Sequence, residues 1–166
     1  MTRFENEQWL VKAGDEIKVI ATDIGKIGIN ICYDAEFPLI TRQQVAAGAD
    51  LILVPSCTDT EAGFHRVRIG CQARALENQC YVIQSSTFGN AEWSEAVDVN
   101  TGRASIYTPV DYGFPDNGIL VEGANDRAEW VYADLDLAEI ARVRKEGQVF
   151  NYRDWEKQAE LKSWLL

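Results

Sequence analysis

The chain has 166 residues, 46% of them hydrophobic, and its 26 acidic and 16 basic side chains leave a net charge of −10. That length suits one domain whose core closes without disulfide or metal staples, and scattered lysines and arginines among carboxylates form no basic stripe, which excludes nucleic acid as a partner. No apolar run approaches the roughly 20 residues that span a bilayer, and "MTRFENEQW" lacks a charged-then-apolar leader pattern, so a cytoplasmic location without a membrane partner is expected.

In chain order the pattern alternates strands with helices. "IKVIAT" (17–22) and "KIGINICY" (26–33) are β-branched runs around "DIG", which predicts a tight hairpin. "FPLITRQQVAAG" predicts a helix, with Pro38 in its first turn and Gly48 at its end. "ADLILVPS" (49–56) is apolar without alternation, the mark of a central strand buried on both faces. From Phe64 to Gln79, Val67, Cys71 and Ala75 fall on one stripe beside Ile69, Ala73 and Leu76, which predicts a helix lying on a sheet. "CYVIQSST" (80–87) is another buried strand, and the irregular "FGNAEWSEAVDVNTG" after it is a loop fit to line a site. "GILVEG" (118–123) and "EWVYADLD" (129–136) are expected to pair as strands. Asp136 then caps a helix over "LAEIARVRKEG" that ends at Gly147. No internal linker divides the chain, so residues 1–166 are read as a single α/β unit, with 148–166 as a C-terminal extension.

Four cysteines stand at irregular spacing with no C-x-x-C pair, and His65 is the one histidine, so no metal site is expected. Cys57, Cys71 and Cys80 read as small packing residues. Cys32 admits two readings, packing or chemistry, because its apolar strand stops on it and gives way to Tyr33, Asp34 and Pro38.

"GKIGINICYDAEFP", then "GADLILVPS", "ARALENQCYVI" and "YADLDLAEIARVR" resemble, in order and spacing, the nitrilase superfamily of carbon-nitrogen hydrolases across residues 7 to about 150. The resemblance implies a four-layer α-β-β-α sandwich and a Glu-Lys-Cys triad that attacks an amide, carbamoyl amide or nitrile carbon through a cysteine thioester. It implies that Cys32 is the nucleophile, that the backbone N–H of Tyr33 is an oxyanion donor, and that Glu7 is the family's second, positioning glutamate, with Glu5 the competing choice. Asp34 is expected to order the turn rather than move a proton. Thr58, Phe64 and His65 follow the third strand, where the family places substrate-binding residues. Arg42, Arg74, Glu77 and Asn78 are expected to pair and cap within the sandwich. No cofactor is implied, since a thiol and its base suffice for the attack.

The family's general-base glutamate and its lysine precede the stretch that matches Met1, so the chain is expected to be the C-terminal part of the domain and inactive by itself. Two functions follow: a carbon-nitrogen hydrolase acting on a small-molecule amide or nitrile in complete form, or a non-catalytic fragment or binding subunit. A third, a cysteine α/β hydrolase of another kind, needs His65 as base. In the tail, Phe150, Tyr152, Trp155, Leu161, Trp164, Leu165 and Leu166 are too apolar for a solvated terminus; they are expected to fold back over the chain's own sheet or to cross to a second subunit in a homodimer or larger homo-oligomer.

Overall fold

The computed structural model describes residues 3–125 and 127–163. After a short α1 (Arg3–Glu7), the hairpin forms as expected: β1 (Val19–Thr22) runs antiparallel to β2 (Gly25–Ile29), with Thr22 opposite Gly25. Gly25 holds φ at +130°, a conformation that favours glycine, and a Cβ there would also push Leu137 Cδ1 aside from 2.6 Å. β3 (Leu51–Ser56) and β4 (Tyr81–Ser86) extend the sheet in parallel, and β7 (Ser105–Tyr107) and β8 (Ile119–Glu122) close it antiparallel, in the order β1-β2-β3-β4-β7-β8. A separate two-stranded ribbon, β5 (Gly89–Asn90) with β6 (Val99–Asn100), stiffens the long loop after β4.

The two parallel crossovers are α2 (Pro38–Ala46) and α3 (Glu61–Asn78). Together they cover one face of the sheet: Val45 of α2 and Val67, Cys71 and Ala75 of α3 pack on Ile52, Val54, Val82 and Tyr107. α3 starts three residues ahead of the apolar stripe. Gly63 reads as a breaker, yet Thr60 caps the helix by accepting from the Gly63 N–H at 3.1 Å, which satisfies an otherwise orphaned donor.

On the opposite face, Leu51 and Tyr81 pack with Ile140 of α4 (Leu137–Glu146), joined by Ile27, Leu53, Ile83, Phe114 and Leu135. Asp136 caps α4 as its sequence foretells, accepting from Ala138 N–H at 2.8 Å. Toward the carboxyl ends of the strands this face opens, leaving Ile29 and Pro55 exposed. There a cleft of about 820 Å³ separates β4 and β7 from residues 127–135.

The expected pairing of 129–136 with 118–123 does not occur. β8 pairs with β7, and 129–135 joins no ladder, leaving Trp130 85% and Tyr132 81% exposed. Its β-branched and aromatic composition suits a strand, and β8, last in the sheet order, has a free outer edge, but Glu129 meets the chain after β8 with its carboxylate, which accepts from the Ala124 N–H, rather than with backbone groups.

The start of the tail folds back on the helical side, over helices rather than over the sheet. α5 (Asn151–Asp154) brings the Tyr152 ring onto the main core, 4.4 Å below the Arg144 guanidinium and 5.3 Å from that of Arg42. Trp155 takes the same Arg42 at 5.5 Å. Leu161 stays exposed, and the expectations for Trp164, Leu165 and Leu166 lie outside the described residues. Arg74 pairs with Glu77 at 2.6 Å and Asn78 Nδ2 donates to Arg74 O at 3.0 Å, the capping and pairing role anticipated for them.

Cys71 and Cys80 are fully buried, and burial pushes both thiols up to about 12 from an ordinary 9.0. A thiol whose folded pKa exceeds its unfolded one adds stability that is complete below pH 9 and lost as pH climbs toward 12, about 1.4 kcal/mol per pH unit for each group. The urea midpoint is therefore expected to fall steeply above pH 9, and to fall less steeply in Cys71→Ala/Cys80→Ala. Equal pH slopes in the two proteins would remove this cause.

Candidate active site

β2 delivers the chain to the site through Asn30, whose N–H bonds Leu53 O at 2.9 Å and whose buried Nδ2 donates to Thr41 Oγ at 2.7 Å. Two residues on, the backbone turns sharply. Cys32 adopts φ +49°, a left-handed conformation uncommon for a residue with a side chain, and opens a 3-10 turn over Cys32–Glu36. Asp34 closes that turn: its Oδ2 accepts from Ile31 N–H at 2.9 Å while its own N–H donates to Ile31 O at 3.0 Å. This is the ordering role expected of Asp34.

α3 grips the turn from behind. A Cβ on Gly70 would stand 2.9 Å from Ala35 O, so glycine permits the close approach, and Arg74 Nη1 donates to the same carbonyl at 3.2 Å. Neither residue stood out in sequence as belonging to the site. A glycine in mid-helix costs about 1 kcal/mol relative to alanine, and that cost is the one signal by which Gly70 could have been found.

Cys32 Sγ is half-buried and donates to Cys57 O at 3.6 Å. Burial is the main cause that lifts its pKa; the backbones of Cys57 and Tyr33 beside the sulphur oppose the lift, while the Cys57 thiol and Glu36 add smaller amounts to it. As it stands the thiol is held neutral near pH 7, and a cation or base is needed to make it a nucleophile. Glu36 is bound to Arg66 at 2.7 Å. The Tyr33 ring lies edge-on to Phe37, 4.8 Å between centroids, and leaves the Tyr33 backbone to face the sulphur.

The carboxyl ends of β3 and β4 meet the long loop next to this thiol. Asn100 Oδ1 accepts from Cys57 Sγ at 3.0 Å and from Thr87 Oγ at 2.8 Å, and its Nδ2 donates to Val97 O at 2.6 Å. Thr58 Oγ donates to Thr101 O at 2.7 Å. The loop is thus tied at both strand ends, with Trp93 standing free at its tip, 87% exposed. Asn100 lies in a polar stretch whose pattern gave no reason to single it out. Cys57 departs from the packing role read for it: Cys71 and Cys80 are buried, whereas Cys57 is exposed.

Of the residues read as substrate-binding, Thr58 is buried and spent on Thr101, and Phe64 is fully buried with the Arg103 guanidinium 4.2 Å above its ring. His65 is half-exposed, paired with Glu61 at 3.5 Å, and makes no hydrogen bond to Cys32, which leaves the His65-dependent alternative without its base. Glu7 ends α1 and faces solvent. Among the described residues, no three histidine, cysteine or acidic side chains gather to hold a metal ion, and no helix is long and apolar enough to cross a membrane.

A parallel three-strand core backed by two helices, with polar groups and a thiol at the strands' carboxyl ends, places the chain among α/β proteins that keep their sites at that edge. The chain belongs to the carbon-nitrogen hydrolase family, whose profile matches residues 3–145. It is 40% identical to "Probable hydrolase YhcX" of Bacillus subtilis, over 93% of this chain and 30% of that protein. With the "Deaminated glutathione amidase" of Dictyostelium discoideum it shares 33% identity, over 89% of this chain and 48% of that protein. The crystal structure of the Caenorhabditis elegans NitFhit protein superposes with a TM-score of 0.72 at 28% identity, covering 91% of this chain and 34% of that one. The fold is accordingly of the nitrilase type, and the chain spans only 30% to 48% of the length of these relatives.

Proposed function

We propose that this chain carries the nucleophile of a nitrilase-type amidase. The observation that supports this most is Cys32 itself, a free thiol on a left-handed residue at a strand's carboxyl end with the Tyr33 amide beside its sulphur. In the complete domain the Cys32 thiolate attacks the amide carbon, and the oxyanion of the tetrahedral adduct is received by the Tyr33 N–H. Ammonia or an amine leaves, and water cleaves the resulting Cys32 thioester. Glu7 serves as the positioning acid, and Thr58, Phe64 and His65 set the pocket wall, the first two by fixing the chain after β3. We choose amide over nitrile because a relative at 33% identity is named an amidase.

The triad glutamate and lysine are assigned to the rest of the domain, beyond the 166 residues. The open sheet face at Ile29 and Pro55 and the unladdered 127–135 segment suit a covering layer, since an uncovered apolar face and a free edge invite association. α2, α3 and the tail are proposed to form a two-fold contact between copies, in a cytoplasmic homo-oligomer. The neutral state of Cys32 favours one other reading, a non-catalytic fragment or binding subunit.

Ammonia release from a panel of ω-amides and carbamoyl amides separates these readings. The isolated chain is expected to show none, since members of a catalytic unit fail together. A protein that includes the remainder of the domain is expected to turn over at least one of them. Cys32-dependent hydrolysis by the isolated chain would mean that its triad is complete, and a silent complete domain would leave the binding-subunit reading.

A further inference from the structure

The second thiol beside Cys32 is not used by the proposed reaction. Cys57 follows β3 as Cys32 follows β2, and these strands run parallel with Ile29 opposite Leu53, so both cysteines lie at the same carboxyl edge of the sheet. Cys32 Sγ sits 3.6 Å from Cys57 O. A carbonyl oxygen lies about 2.4 Å from its own Cα by covalent geometry, which puts Cys32 Sγ within about 6 Å of Cys57 Cα. A disulfide sets each sulphur roughly 4 Å from the partner's Cα, so closing the bond takes a turn of Cys57 about χ1 and an approach of its loop by up to about 2 Å. What holds Cys57 Sγ away is a single thiol hydrogen bond to Asn100 Oδ1, a weak tether.

We propose that Cys57 and Cys32 form a redox couple that a hydroperoxide closes to a disulfide, withdrawing the site thiol reversibly. The exposed Cys57 reacts first: its thiol attacks the O–O bond, taking one oxygen to become a sulfenic acid and releasing water from hydrogen peroxide. Cys32 then attacks Cys57 Sγ, the S–O bond breaks, and the hydroxyl leaves as water with the Cys32 proton. The two electrons lost by the sulphurs reduce the peroxide, and an external dithiol reverses the bond by exchange. Exposure decides the order, since Cys32 is half-buried and Cys71 and Cys80 are sealed in the core. The effect on catalysis rests on Cys32 being the nucleophile; the bond itself does not.

The test uses the purified chain, treated with hydrogen peroxide, alkylated and mapped by mass spectrometry. A peptide linking Cys32 to Cys57, two hydrogens lighter than the reduced pair and restored by dithiothreitol, is expected. In Cys32→Ser, Cys57 is expected to accumulate as a sulfenic acid trapped by dimedone. In Cys57→Ser or Cys57→Ala, checked for folding by circular dichroism, Cys32 is expected to oxidise about tenfold more slowly than in the parent. Oxidation of Cys32 at equal rates with and without Cys57, or a Cys57 bond joining two chains, would overturn the couple. A chain that forms the bond while the complete domain hydrolyses no amide keeps the couple and loses only the nucleophile.

Discussion

Alanine at Cys32 is expected to lower kcat by about 10⁴-fold or more in a protein that holds the complete domain, because the thioester route needs an attacking sulphur and the rest of the machinery cannot replace it. That loss corresponds to about 5.5 kcal/mol of transition-state stabilisation. Folding should be untouched, since Cys32 is only half-buried and its sulphur makes one long hydrogen bond to Cys57 O. Cys57→Ala provides the contrast. It stands equally close to the strand ends, yet its activity is expected to remain within about twofold of the parent, a shift of under 0.5 kcal/mol. Amide turnover in the two variants, with urea midpoints alongside, checks both statements. Retained turnover in Cys32→Ala would remove the mechanism.

Gln79→Ala is expected to cause the largest loss of stability available from a single polar side chain. Gln79 ends α3 in a left-handed conformation, φ +45°, almost fully buried. Its Nε2 donates to Val143 O at 3.2 Å, Val149 O at 3.1 Å and Asp111 Oδ2 at 3.4 Å, and its Oε1 accepts from Tyr152 N–H at 3.1 Å. One side chain therefore joins α3, α4, the 111 loop and the tail. Truncating it strands Val149 O, Asp111 Oδ2 and the Tyr152 N–H at about 1 kcal/mol each, a loss of about 3 kcal/mol in all, while Val143 O keeps its bond from the Gly147 N–H. Gln79→Gly should recover about 1 kcal/mol of that, because glycine is free of the left-handed strain. Urea unfolding measures both, and a Gln79→Ala midpoint equal to that of the parent would contradict docking of the tail through this residue.

Local patterns recorded the covered part of the fold well. β3 is apolar on consecutive residues because α2 and α3 bury one side and α4 the other, and α4 shows both of its ends in Asp136 and Gly147. The pattern at 129–136 records a preference for strand but not which groups will meet the sheet, and there the expected strand did not form: the Glu129 side chain takes the Ala124 N–H. Around Cys32, the turn that Asp34 closes was legible in the sequence. The site was not legible where separate segments converge. Asn100, Cys57 and Thr87 meet only after β3, β4 and the loop are folded, and Gln79 gathers partners up to 73 positions away. Periodicity cannot report such contacts, since no repeat in the chain connects them.

Trapping the acyl-enzyme tests the central claim most directly. A protein holding the complete domain is incubated with a slowly hydrolysed amide, quenched in acid during turnover, and mapped by mass spectrometry. The acyl mass is expected on the peptide that carries Cys32, sensitive to hydroxylamine as a thioester is and missing from Cys32→Ala. An acyl group found on Cys57 instead, or steady turnover with Cys32 unmodified throughout, would contradict the assignment of Cys32 as the nucleophile.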